Sequence, residues 1–159
     1  MINIELVEFN TEGWEPCYIN WQDIETQKGF NFIPAWNSID EYIEIFKVKD
    51  YLLNCLILDN DSKKYAGHIT ISNKDKPDIA IWIFKEFRNR GYAKKALKKA
   101  INLFRKTNKS SLYAGIYNDN FASKKVFKSL GFTEIENDEE ETNVFTGEST
   151  YQIIFKSLS

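Results

Sequence analysis

The chain reads as an α/β (α+β) fold, a mixed central β-sheet flanked by helices on both faces, and three observations carry that reading. Short runs with strand periodicity occupy both ends of the sequence. One run near the middle, residues 79–84, is apolar at every position, which marks a central strand covered on each side. Directly after it the apolar period lengthens from that of a strand to that of a helix.

The elements follow in order. Residues 4–9 alternate apolar and polar side chains and predict a first strand, and residues from about 14 to 28 predict a helical region. Ser38 with Glu41 three positions later has the capping-box spacing, and Ile39, Tyr42, Ile43 and Phe46 continue it as an apolar stripe. Residues 51–58 and 65–72, separated by Asp59, Asn60, Asp61 and Ser62, predict an antiparallel hairpin. After the strand at 79–84, Ala93, Ala96, Leu97, Ala100, Ile101 and Phe104 fall on one face of a helix, with Gly91 just before it. A strand at 111–117 leads to Asn120, a good N-cap for a helix carrying Ala122, Val126, Phe127 and Leu130, and Gly131 ends that helix. Strands at 132–135 and 151–156 close the chain, with an acidic, polar loop between them.

With 159 residues, no internal repeat and no linker, the chain is expected to form one domain over residues 1–159. A formal net charge of −2 gives no reason to expect nucleic acid as a partner, since such binding needs a basic stripe. Basic residues do concentrate between Arg88 and Lys109, which reads mainly as a solvated helix face and partly as a place for a small anion. Cys17 and Cys55 lack metal or redox spacing, and His68 alone cannot complete a zinc site, so no metal is expected. There is no signal-like N-terminus and no apolar run long enough to cross a bilayer, so the expectation is a soluble, cytoplasmic protein, monomeric or a homodimer.

The strand, turn and helix over residues 79–104 carry the chemistry. A helix start offers unpaired N–H groups and the positive end of the helix dipole, which together make an anion site. Gly91 allows close approach of a diphosphate, small Ala93 keeps the first turn open, and Arg88 and Arg90 add charge. Neither a P-loop nor a Gly-x-Gly-x-x-Gly dinucleotide pattern is present.

Arg88-x-x-Gly91-x-Ala93 after an apolar strand resembles the Gln/Arg-x-x-Gly-x-Gly/Ala signature of the GNAT superfamily of N-acetyltransferases. Downstream, Asn118, Asp119, Asn120, Phe121, Ala122 and Ser123, continuing to Leu130, Gly131 and Phe132, are similar to that family's Asn-x-x-Ala/Ser…Leu-Gly-Phe segment. The resemblance covers residues 51–156 and extends to the ribosomal-protein and small-amine branch. It implies acetyl-CoA as acyl donor, its pyrophosphate on the amides of Arg88, Asn89, Arg90, Gly91, Tyr92 and Ala93. It also implies a pantetheine arm paired with the backbone of Ile83 and bonded from the far side by Asn120 and Ser123. The thioester would lie in a V between the strands ending at Phe84 and Tyr117, where a strand N–H stabilises negative charge on oxygen. Three positions depart from the pattern: Lys85 stands where many members have proline, Asn89 where many have glycine, and Phe127 where many have a tyrosine that protonates the leaving thiolate.

The implied reaction is attack by a primary amine on the thioester in a ternary complex, the acceptor being a small-molecule amine or a protein N-terminus. The attacking amine must be neutral, so a group or a water must take a proton from an ammonium. Asp78, near the start of the strand before the signature, lies about where the family places a glutamate. His68 on the neighbouring strand has the titration range of a base. Tyr117 is the nearby hydroxyl that could help the thiolate leave. Of the aromatics Trp14, Trp21, Phe30, Phe32, Trp36 and Tyr42, most read as core and one or two as lining an acceptor pocket. The departure at Phe127 keeps an alternative open, a catalytically silent acyl-CoA-binding module.

Overall fold

The computed structural model describes residues 1–157. Its elements are β1 (Ile4–Glu8), α1 (Trp14–Trp21), α2 (Ile24–Gly29), α3 (Ile39–Phe46), β2 (Tyr51–Asp59), β3 (Lys64–Ser72), β4 (Ile79–Ile83), α4 (Tyr92–Thr107), β5 (Tyr113–Tyr117), α5 (Phe121–Ser129), β6 (Phe132–Asn137), β7 (Glu141–Thr142), β8 (Ser149–Thr150) and β9 (Gln152–Ser157).

Strands β1 to β4 form an antiparallel sheet in sequence order, and β5, β9 and β6 form a second antiparallel sheet in that spatial order. Among the described residues the two meet at one parallel contact. Asp78 bridges Tyr113, and the Tyr113 amide donates to the Pro77 carbonyl at 2.9 Å. This join makes the combined layer mixed, and past it β4 and β5 no longer pair.

Period-two alternation sends neighbouring residues of β2 to opposite faces. Ile57 packs in a cluster with Ile69, Ile71 and Ile79 under Ala96, Leu97, Ala100 and Phe104 of α4. Leu56 packs on the other face with Cys17 and Trp21 of α1 and Tyr42 of α3. Helices therefore cover both faces. Leu56, Ile57, Ile69 and Ile71 are fully buried, and each burial is worth about 1.5–3 kcal/mol. Gly67 on β3 is required by close approach: a Cβ there would sit 2.2 Å from the Trp82 carbonyl oxygen.

Several elements differ from the sequence reading for local reasons. The helical region at 14–28 is two helices, because Asp23 leaves helical geometry and its Oδ2 accepts the Thr26 amide as an N-cap at 3.2 Å. At α3, Ser38 Oγ accepts the Glu41 amide at 3.2 Å, but Glu41 Oε2 returns to the Asn37 amide, at 2.6 Å. β4 stops at Ile83, with Phe84 leading into a single 3-10 turn. The acidic loop is partly ordered as the β7–β8 hairpin, whose turn is held by Asn143 Oδ1 accepting the amides of Phe145 and Thr146.

Candidate active site

The turn between β4 and α4 is shaped by two left-handed residues, Asn89 at φ 61° and Gly91 at φ 87°. Among the described residues, the amides of Asn89, Arg90, Gly91, Tyr92 and Ala93 donate to no protein acceptor. The first turn of α4 carries no acidic side chain, and no side chain caps its N-terminus. Five unpaired donors at the positive end of a 16-residue helix fit an anionic diphosphate. Tyr92 itself turns inward, buried, and its hydroxyl donates to Asp59 Oδ1 at 3.2 Å.

Arg88 differs from its expected role. Its amide donates weakly to Lys85 O at 3.4 Å, and its guanidinium turns away from the helix start. Nε donates to Ile83 O at 2.9 Å, one terminal nitrogen to Asp23 Oδ2 at 2.6 Å, and the other to Asn20 Oδ1 at 3.1 Å and Thr26 Oγ1 at 2.7 Å. The structure thus removes Arg88 from the anion-binding charge. Burial raises the Asp23 carboxyl, but the Arg88 hydrogen bond, the Thr26 amide and the Arg88 charge outweigh it and hold it below the ordinary value. Arg90 lies over the rings of Phe87 and Tyr92, 5.8 and 5.6 Å from their centroids.

The phase of the β3–β4 ladder decides which backbone groups of β4 are free. Phe84 N–H donates to Ala66 O and Ser72 N–H to Asp78 O, so the even-numbered residues of β4 bond to β3. The N–H and C=O groups of Ile81 and Ile83 therefore face the gap toward β5, and the Ile83 carbonyl is already taken by Arg88.

A cleft of about 640 Å³ runs along this gap. Phe30, at the end of α2, stacks on Trp82 with centroids 5.1 Å apart and planes at 19°, and both line the cleft. Across from them stand Gly115 and Tyr117 of β5 and Gln152 of β9. The Tyr117 hydroxyl donates to Glu141 Oε1 at 2.7 Å, and Asn31 Nδ2 donates to the same oxygen at 2.8 Å. Asn31, itself left-handed at φ 48°, also takes the Val144 amide, so it pins the β7–β8 hairpin to the end of α2. Burial, then Glu141, pushes the Tyr117 phenol up to about 12. Asp78, Glu136 and Asp138 add carboxylates to the lining.

The residues singled out in the sequence are distributed unequally around this cleft. Asp78, Tyr117, Asn120, Ser123 and Phe127 line it. Asp78 sits at the closed end beside the strand bridge, where its Oδ1 accepts the Ser72 hydroxyl at 2.5 Å and lies 3.8 Å from Lys74 Nζ. Asn120 caps α5 by accepting the Ser123 amide at 3.2 Å. His68 is not in the lining. It lies between Phe9 and Trp82, stacked on the latter at 5.2 Å, with Nε2 2.6 Å from Asn54 Oδ1. Burial pushes its pKa down to about 4. Cys17 is buried, which keeps it from the cleft and pushes its thiol up to about 12. Among the described residues no group of three or more His, Cys, Asp or Glu side chains could hold a metal ion, and no helix is long and apolar enough to cross a membrane.

Sequence reasoning missed Asn20, Asp23, Thr26, Asn31 and Glu141. Only Asp23 left a signal, as an N-cap residue three positions before Thr26.

In comparisons with known proteins, the acetyltransferase (GNAT) domain family matches residues 3–133. Curated protein sequences return no match. Among solved structures, a GNAT-family acetyltransferase from Bacillus anthracis aligns at 15% identity over 99% of this chain and 98% of its own, with a TM-score of 0.78. The spermidine N-acetyltransferase from Vibrio cholerae in complex with CoA and spermine aligns at 15% identity over 96% and 92%, with a TM-score of 0.74. The ribosomal-protein-S18-alanine N-acetyltransferase from Escherichia coli aligns at 18% identity over 99% and 96%, with a TM-score of 0.72. At these identities the likeness is one of fold.

Proposed function

The chain belongs to the acetyltransferase (GNAT) domain family, whose acyl donor is acetyl-CoA, and from that premise we propose that it acetylates a primary amine by direct attack, holding both substrates at once in the β4–β5 cleft. The observation that carries this reading is the row of unpaired amides at residues 89–93 beside the free backbone edge of Ile81 and Ile83.

Acetyl-CoA supplies the acetyl group, activated as a thioester. The amides of Asn89, Arg90, Gly91, Tyr92 and Ala93 hold its pyrophosphate, a role that needs backbone shape rather than side-chain charge. The Ile83 N–H and the Ile81 edge pair with the pantetheine arm, and Asn120 and Ser123 bond it from the opposite wall. A β4 N–H also donates to the thioester oxygen as negative charge grows there, at no cost in reorganisation because the strand already holds it.

The acceptor enters over Phe30, Trp82 and Tyr117. Glu136 and Asp138 favour a cation there, the resting form of a primary amine at neutral pH, while Lys74 and Lys76 of the same lining offset Asp78 at the closed end. Asp78, at the closed end of the cleft four residues before Trp82, takes the proton through water, so that the amine attacks neutral. A small amine and a protein N-terminus both suit this wall, and the fold neighbours carry acceptors of both kinds in their names. We place the reaction in the cytoplasm, a reading supported by two free cysteines.

The test is twofold. Acetyl-CoA at many times its dissociation constant should raise the melting temperature more than ATP does. Free thiol should then be released with at least one of spermidine, an amino acid and an alanine-terminated peptide. Equal shifts with ATP would sink the site, and binding without thiol release would leave a silent acyl-CoA-binding module.

A further inference from the structure

We propose that Arg88 is a positioning residue that locks the pyrophosphate loop to the acceptor wall, so that occupancy of either substrate site orders the other. The proposal rests on the function given above. One guanidinium ties together three places that the chain keeps apart. It bonds the end of β4 through Ile83 O, and it bonds the junction of α1 and α2 through Asn20, Asp23 and Thr26, 62 to 68 residues away in sequence. Its own backbone begins the turn that carries the unpaired amides.

The junction is a prepared receptor for that guanidinium. Asn20 and Thr26 are buried, and the Thr26 hydroxyl also reaches Asn20 Oδ1 at 3.1 Å and Asp23 Oδ2 at 3.3 Å. The ion pair is largely out of water, with side chains 23% and 15% exposed, so solvent screens it far less than a surface pair. Breaking one partner leaves the other charge part-buried without its counter-charge, which weakens the lock. Asp23 is also the N-cap of α2, and α2 delivers Gly29 and Phe30 to the cleft and Asn31 to Glu141. A displacement of the loop is therefore transmitted to the wall on which the acceptor rests, and by linkage the reverse holds equally.

Hydrogen exchange on the full chain tests this, with CoA as the probe so that no acceptor need be known. In the wild type, CoA should slow exchange at residues 89–95 and also at residues 24–31, the latter by at least about fivefold. In Asp23→Asn, which keeps shape and capping ability, CoA should still protect 89–95 but no longer 24–31, and its affinity should fall about tenfold. Thr26→Val, which keeps the ion pair, should lose part of the remote protection and gives the readout where loss of the ion pair unfolds the chain. Arg88→Lys should behave like Asp23→Asn, because an ammonium cannot reproduce the fork. Remote protection that persists in Asp23→Asn and Thr26→Val, or that is missing from a wild type protected at 89–95, would overturn the proposal. Protection at neither segment in the wild type would instead remove the acyl-CoA site, and the lock with it.

Discussion

Tyr117 gives its phenolic hydrogen to Glu141 Oε1 at 2.7 Å, and the bond fixes what the tyrosine can do in the cleft. A phenol pushed up to about 12 faces a thiol whose pKa is about 8.5, so passing a proton to the thiolate runs uphill. On the proposed function the thiolate is expected to depart without an acid. Tyr117→Phe should keep kcat within about threefold of the wild type, against the ~100-fold or greater loss expected when a general acid is removed. A loss of that size with unchanged acetyl-CoA affinity would make Tyr117 the acid.

Substitution of Gly91 should strain the backbone before it crowds any of the protein's own side chains. A Cβ there would meet Ile2 Cδ1 at 3.4 Å, an ordinary contact, but φ 87° costs an L-residue roughly 1–2 kcal/mol. Gly91→Val should weaken acetyl-CoA binding at least about tenfold with an unchanged circular dichroism spectrum, whereas Gly91→Asn should bind closer to wild type because asparagine tolerates that region. Equal affinities for the two variants, measured by calorimetry, would contradict this account.

Asp78→Asn should lower turnover at least about tenfold and leave acetyl-CoA affinity unchanged. The amide preserves the shape and can still meet the Ser72 hydroxyl, so stability should change little. Unaltered turnover would leave proton removal to another carboxylate of the lining or to water.

His68 should report on stability instead of catalysis. Its folded-state pKa of about 4 lies below the usual value near 6.5, so the unfolded chain takes up the proton first. The stabilisation from keeping the ring neutral is complete above about pH 6.5 and is lost as pH falls toward 4, by on the order of 3 kcal/mol. Urea midpoints of His68→Gln should therefore vary less across that window than those of the wild type. Parallel curves would show that the ring is more hydrated than its stacking on Trp82 suggests.

What could be read in the sequence was whatever short-range pattern determines. The change of period after residue 84, the glycine before α4 and the Asn120 cap each lie within a few residues of the feature they specify. The break between α1 and α2 was harder, because the cap at Asp23 competes with a region otherwise compatible with helix. Asn31 and Glu141 meet across 110 residues, and Arg88 and Asp23 across 65, so no local pattern signals either pair. Arg88 shows the limit well: the spacing placed its backbone at the turn, yet the direction of its side chain depended on a receptor built by another part of the chain.

The parallel contact between Asp78 and Tyr113 leaves the layer as an unfinished seam. Beyond that point two lengths of strand present amide and carbonyl groups that a neighbouring strand would satisfy in a closed sheet. On the proposed function, an extended pantetheine arm would complete the seam in the manner of one more strand. So would any other extended chain, including a segment of a second, partly unfolded copy. The groups that recognise the donor are thus also the groups through which copies would stick on heating, and acetyl-CoA should delay the onset of light scattering by capping them.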